Sequence, residues 1–354
     1  MTRIERLAAL LDESLLVAGP PYVLGGQANV RYLTGLSSSN ASLLVEPDGS
    51  ATLYTDFRYA NRARAIEGVE VAEVARGFIP AIGELLAGRR IQFEEQHLPY
   101  ALYRALVDAG VDAVPSTGVV EGLRAVKDAD EIAALRRGGA LSDEVFAALS
   151  QERFTGRSEK EVAWWIERSF REAGADGVSF EAIVAAGSTA SSPHAVPGDA
   201  PIQSGVLVTI DAGCILDGYC SDCTRTFGVG EVSERLRELH ALCLEAQLAG
   251  LTAVGPGVHG SDADAASRTL IEAAGLGWAY GHGMGHGVGL QIHEAPTLRP
   301  ESTDTLEAGN VVSVEPGIYL PDEGCGVRIE DLVLVTEDGF ERLTQFTKEL
   351  LTVE

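Results

Sequence analysis

Four carboxylates stand where two short chain reversals would bring them together in this 354-residue sequence. In VLVTIDAGCILDGYCSDCTRTF, Asp211 and Asp222 flank Asp217-Gly218, a dipeptide that favours a tight hairpin turn. A turn centred between Leu216 and Asp217 sets Asp211 directly opposite Asp222 on one face. Downstream, Glu315 in VVSVEPGIYL and Glu330 in VRIED flank Pro321-Asp322-Glu323-Gly324. A turn centred between Asp322 and Glu323 sets that second pair opposite each other in the same way. Like charges so close are destabilising, so a cation is missing from the picture. Nearby, GHGMGHGVGLQIHEAP carries His282, His286 and His293, three of the seven histidines in the chain. Carboxylates with one or two imidazoles suit manganese, cobalt, iron or zinc. Four carboxylate charges balance two divalent cations, and such a pair can bridge a hydroxide and stabilise a developing oxyanion. That is chemistry for hydrolysing an amide.

The same stretch contains Cys220 and Cys223 in C-x-x-C spacing. On a strand, residues three apart point to opposite faces, so the pair cannot share one metal or form a short disulfide. Reactive pairs of this kind sit at helix N-termini, where the thiolate is stabilised. These cysteines read as structural, and Asp222 between them as the functional residue. His282 and His286 have the i, i+4 spacing of a helical zinc motif, but the alternating glycines from Gly281 to Gly289 oppose a helix at roughly 0.5–1 kcal/mol each. Nor do they spell G-x-G-x-x-G. They fit close backbone packing around a site into which imidazoles are aimed. His97, His240 and His259 read as ordinary core or surface residues.

Two units must supply this scaffold. In the first, YVLGGQANVRYLTG and ASLLVEPDGSATLYTD read as strands, the second broken by the turn signal Asp48-Gly49. Helical periodicity follows in FIPAIGELLAG and LPYALYRALVDAG. The pattern loosens near Pro115, which places a boundary at 124 between an N-terminal unit, 1–124, and a second, 125–354. The second alternates helices and strands. Ser158-x-x-Glu161 is a capping box, Gly174 a helix stop, and Trp164 and Trp165 core residues. After the strand FEAIVAAG comes a Ser/Pro loop around His194. Ser233 caps a helix reaching about Ala253, and another spans about 261–274. Strands paired by turns and separated by helices indicate an α+β fold.

Composition narrows the partners. A net charge of −25 repels nucleic acid and anionic membrane surfaces. No apolar run has the length of a membrane span, and the start is a poor signal peptide. Five cysteines, an odd number, do not make a disulfide framework. A cytoplasmic location is expected.

Asp211 in DAG, Asp222 in SDCTRTF, His286 in GHGVGL, Glu315 in VEPGIY and Glu330 in GVRIED occur in an order that resembles the pita-bread metallopeptidases: methionine aminopeptidase, aminopeptidase P and prolidase. The resemblance covers about 125–354. Residues 1–124, with NVRYLTG and TDFRYANRA, are similar to the N-terminal domain of aminopeptidase P and prolidase. It implies a pita-bread catalytic domain of the creatinase/methionine aminopeptidase type, preceded by a smaller α/β creatinase-type N-terminal domain. It further implies two divalent ions per chain, manganese first, with cobalt and zinc as alternatives. Asp222 and Glu330 would bridge both metals, Asp211 would complete one shell, and His286 and Glu315 would bind the other. His194 would contact substrate near the scissile bond, while His282 and His293 would line a proline pocket and support the tetrahedral intermediate. Arg328 would hold a carboxylate in place, and Glu315 would shuttle the proton. The family often has methionine at the position of Cys223. The substrates implied are proline-containing peptides, and the assembly a homodimer. TDFRY leans the expectation to Xaa-Pro aminopeptidase. The alternatives are Xaa-Pro dipeptidase and, on the same fold, a non-catalytic peptide-binding module.

Overall fold

The computed structural model describes residues 1–19, 24–75 and 78–354, which divide into two compact units, Met1–Arg124 and Ala125–Glu354. In the first, six strands form one sheet in the order Glu70–Glu73, Ala51–Thr55, Ala41–Val45, Leu15–Gly19, Arg90–Glu94, Asp112–Ser116. Ala41–Val45 and Ala51–Thr55 make the expected hairpin around Asp48-Gly49, with Gly49 at φ 87°. The strand expected over YVLGGQANVRYLTG is instead a helix, Leu24–Thr34, with Tyr22 and Val23 outside the described residues. Asn29, Tyr32 and Leu33 recur at i, i+3 and i+4 and are all buried, a period that suits a helix face.

The second unit is built on two larger sheet systems, beside a three-stranded and a two-stranded sheet. One four-stranded sheet runs Thr352–Val353, Thr224–Val229, Leu207–Asp211, Ile183–Ala186. A five-stranded sheet runs Glu294–Leu298, Gly285–Gly287, Val311–Val314, Asp331–Thr336, Gly339–Arg342. Helices Ala129–Leu149 and Glu159–Glu172 pack on the first through Val145, Phe146, Val162, Ile166 and Phe170. Helices Glu234–Ala253 and Gly260–Ala273 cover the second system and the hairpin Gly317–Leu320/Cys325–Arg328.

The helix signals are built as read. Ser158 and Glu161 form a reciprocal capping box, and Gly174 follows the helix end at φ 102°. Ser233 accepts from the Leu236 amide. The expectation for the tryptophans is corrected in part. Val162, Ile166 and Phe170 form the buried stripe of the helix Glu159–Glu172, and Trp164 lies off it, 63% exposed, while Trp165 is packed against the core. None of the five cysteines forms a disulfide, and all are buried. No helix of the described residues is long and apolar enough to cross a membrane.

Candidate metal centre

The hairpin that carries Asp211 and Asp222 turns one residue later than its sequence suggests. Asp217 and Gly218 both have positive φ, 52° and 85°, so they are the two central residues of a tight turn. Ile215 therefore pairs with Cys220, and Asp211 pairs with Thr224 rather than with Asp222. Asp222 lies two residues before Thr224, diagonal to Asp211 and on the same side. The second register is as expected. Val314 faces Asp331 and Gly317 faces Arg328, which leaves Glu315 and Glu330 opposite each other in the break between two paired stretches.

These breaks converge. Oxygens of Asp211, Asp222 and Glu330 all lie within 4.8 Å of one another, and the three side chains are buried. His286 Nε2 is 3.8 Å from Asp222 Oδ2 and 3.2 Å from Glu315 Oε1. The glycines around His286 permit this approach: a Cβ at Gly285 would lie 1.9 Å from the Ser313 carbonyl oxygen, and one at Gly287 2.2 Å from that of Ala295. His286 Nδ1 donates to the Gly287 carbonyl at 3.2 Å, which turns Nε2 toward Glu315 and Asp222.

Burial first, then the charges of Glu330 and Asp211, push the Asp222 carboxyl well above its ordinary range. Burial and the charges of Glu315 and Asp211 do the same to Glu330. Burial also opposes ionisation of Glu315, but the hydrogen bond and charge of His286 outweigh it and hold that carboxyl at about 2. Among the described residues Asp211 Oδ1, Asp222 Oδ1 and Glu330 Oε1 are buried and have no hydrogen-bond partner. Buried oxygens without donors are costly, and divalent cations answer that deficit. The residues therefore fit a metal pair. A second acidic group, Glu94, His97 and Glu121 in the N-terminal unit, is wired differently. There Asn29 Nδ2 donates to both glutamates at 2.6 Å, and His97 bonds Glu121 at 2.6 Å.

Around the acids runs a hydrogen-bonded chain that only the fold reveals. Arg328 Nη2 donates to Asp211 Oδ2 at 2.7 Å and Nη1 to the Tyr319 hydroxyl at 2.8 Å. His282 donates from Nδ1 to the Gly283 carbonyl at 2.8 Å, so its Nε2 accepts from Tyr319 at 3.0 Å. Burial lowers the His282 pKa, in keeping with a neutral ring. Thr224 donates to Glu330 Oε2 at 2.8 Å. Arg225 and Asp331, each beside a carboxylate-bearing segment, make a buried ion pair at 2.8 Å that joins the two sheet systems. Sequence reading missed Tyr319, Thr224 and Arg225, although each lies within a few residues of an acid it singled out.

A cavity of about 720 Å³ opens over these groups. His194, Asp211, Asp222, His282, His286, His293, Glu315 and Arg328 all line it. So does Arg299, whose exposed side chain has no ion-pair or hydrogen-bond partner among the described residues. Cys220 and Cys223 do not: one packs with Leu135 and Val288, the other in the separate core with Phe227 and Val208.

Fold and site together define a pita-bread metallopeptidase. The chain belongs to metallopeptidase family M24, whose model matches residues 133–337, and residues 3–126 match the creatinase/prolidase N-terminal domain. Among solved structures, an Xaa-Pro dipeptidase from Bacillus anthracis is 37% identical, with a TM-score of 0.93 over 99% of each chain. An X-Pro aminopeptidase from Thermotoga maritima is 32% identical, with a TM-score of 0.89 over 98% of this chain and 100% of that one. The Xaa-Pro dipeptidase of Pyrococcus furiosus is 33% identical over 355 residues, 99% of each chain.

Proposed function

We propose that this chain is an Xaa-Pro dipeptidase, holding two divalent cations through Asp211, Asp222, His286, Glu315 and Glu330. The oxygen-rich donor set favours manganese, with cobalt or zinc as substitutes. Bound there, the cations supply Lewis-acid polarisation and a nucleophile at neutral pH. The protein's own groups do the rest. Glu315 takes the proton of the nucleophile and delivers it to the leaving proline nitrogen. From the cavity wall His194 contacts substrate near the scissile bond, and His293 supports the tetrahedral intermediate. Arg328 fixes Asp211 and, through Tyr319, the neutral His282.

The dipeptidase reading replaces the aminopeptidase reading toward which TDFRY leaned. That stretch has a structural explanation: buried Asp56 accepts from Asn40 at 2.7 Å and from Arg58 Nη2 at 2.6 Å, closing a turn in the N-terminal unit. One observation carries the choice. Arg299 offers an unpaired guanidinium in the cavity wall, suited to the carboxylate that a dipeptide carries directly on its proline. The names of the relatives from B. anthracis and P. furiosus support the same choice.

The test pairs an Xaa-Pro dipeptide with the same sequence extended to Xaa-Pro-Xaa, on the manganese-loaded protein. Cleavage of the dipeptide, with Arg299→Met raising its KM about tenfold or more, is expected. Efficient cleavage of the longer peptide would restore the aminopeptidase. Turnover of neither would leave a binding module.

A further inference from the structure

The loop that carries His194 to the cavity leaves the strand Ile183–Ala186 and returns at Gly198, and one buried carboxylate ties both of its ends. Glu159, the first residue of the helix Glu159–Glu172, is 4% exposed. Its Oε1 accepts from the Ala186 amide at 2.8 Å and from the Thr189 hydroxyl, while Oε2 accepts from the Gly198 amide at 2.8 Å. The Lys160 amide donates back to the Gly198 carbonyl at 3.2 Å. From the cavity side, Arg328 Nη1 reaches the Pro193 carbonyl at 3.2 Å. His194 itself is exposed at the tip.

Helix capping does not account for Glu159, because Ser158 and Glu161 already form the capping box. Nor does the metal-ligand set, to which it does not belong. A carboxylate at a helix N-terminus is stabilised by the helix dipole, and its bonds to backbone amides are charge-assisted. Such an acceptor is a stiff anchor for a loop that would otherwise open locally.

We propose that Glu159 is a positioning residue for His194: by pinning Ala186, Thr189 and Gly198 to the helix end, it sets the conformation in which the imidazole meets substrate. This rests on the reading of His194 as a substrate contact.

Two measurements on the manganese-loaded full chain test it. Glu159→Gln is nearly isosteric but cannot accept from both ends of the loop, and Glu161→Gln weakens the same helix end without touching the loop. Hydrogen exchange at the Gly198 amide should accelerate about tenfold or more in Glu159→Gln and stay near wild type in Glu161→Gln. Unchanged exchange in Glu159→Gln overturns the clamp. On an Xaa-Pro dipeptide, Glu159→Gln should lower kcat/KM by roughly tenfold or more, toward the ~10²-fold that an ångström of misplacement can cost. It should split between kcat and KM as His194→Ala does. The double variant should be no worse than His194→Ala alone; multiplicative losses would overturn positioning through His194. If His194→Ala turns over like the wild type, the reading of His194 fails, while the exchange result still decides the clamp.

Discussion

At the scale of single residues, Asp222 shows what an unsatisfied site costs. Its carboxylate is buried against Asp211 and Glu330, with one oxygen lacking any donor among the described residues. Asp222→Asn removes a carboxyl whose ionisation burial and the neighbouring acids oppose. In metal-free protein this variant should melt ~2–4 °C above wild type, the shift that about 1 kcal/mol makes in a domain of this size. The same variant should bind fewer than two manganese ions by calorimetry and lose dipeptide turnover. A lower melting point in the metal-free state would mean that the acids are not in repulsive contact. The cysteines either side behave differently. Burial pushes the Cys223 thiol well above its usual range, so it is no nucleophile. Cys220→Ser and Cys223→Ser should keep kcat/KM within about twofold, and at position 223 the buried hydroxyl should cost ~1–3 kcal/mol in chemical denaturation. Loss of turnover comparable to Asp222→Asn would reverse that assignment.

At the scale of elements, the two hairpins differ in how legible they are. Both register expectations rest on where the turn is centred. In the second, the 3₁₀ turn Pro321–Glu323 is closed by Gly324 at φ 61°, and the centre lies where the residue types put it. In the first, Asp217 adopts the left-handed conformation that Asp tolerates, so the centre moves to Asp217-Gly218. Moving a centre by one residue shifts each partner by two, and the side-chain period of a strand is two. Asp211 and Asp222 therefore stay on one face even though they are diagonal rather than opposite. The glycine–histidine segment is an element of another kind. Gly283, Gly285 and Gly287 are there for backbone approach, most tightly Gly285 against the Ser313 carbonyl. Gly285→Ala should force the strand Gly285–Gly287 away from Val311–Val314. We expect a loss of ~3 kcal/mol or more in denaturant unfolding, the upper range for a clash that packing cannot relieve. Near-wild-type stability would show that the strands have room to part.

At the scale of the molecule, stability and function meet in the metal pair. The sheet systems of the second unit are joined beneath the site by Arg225 and Asp331, with Lys348 adding a bond to Asp331 at 2.7 Å. Next to that buried pair, Asp211, Asp222 and Glu330 crowd one another. Manganese at a hundred times its dissociation constant should stabilise the protein by about 2.7 kcal/mol. A chelator should reverse that gain and abolish dipeptide hydrolysis together. Stabilisation without recovered turnover would separate binding from catalysis.

By itself, the sequence determined the candidate ligands that the fold brings together, the helices whose ends are capped by Ser158 and Ser233, and the face shared by each pair of acids. These follow from local causes: side-chain type, capping, turn preference and the period of a strand. It misassigned the helix Leu24–Thr34 and the exposed Trp164, since periodicity in short apolar runs is ambiguous until a neighbour chooses the face. Only the tertiary structure decided that Asp211 pairs with Thr224, that Arg328 and Tyr319 link an acid to His282, and that Arg299 and the Glu159-tied loop border one cavity. Those relations join residues far apart in the chain, and no local preference encodes the distance between them.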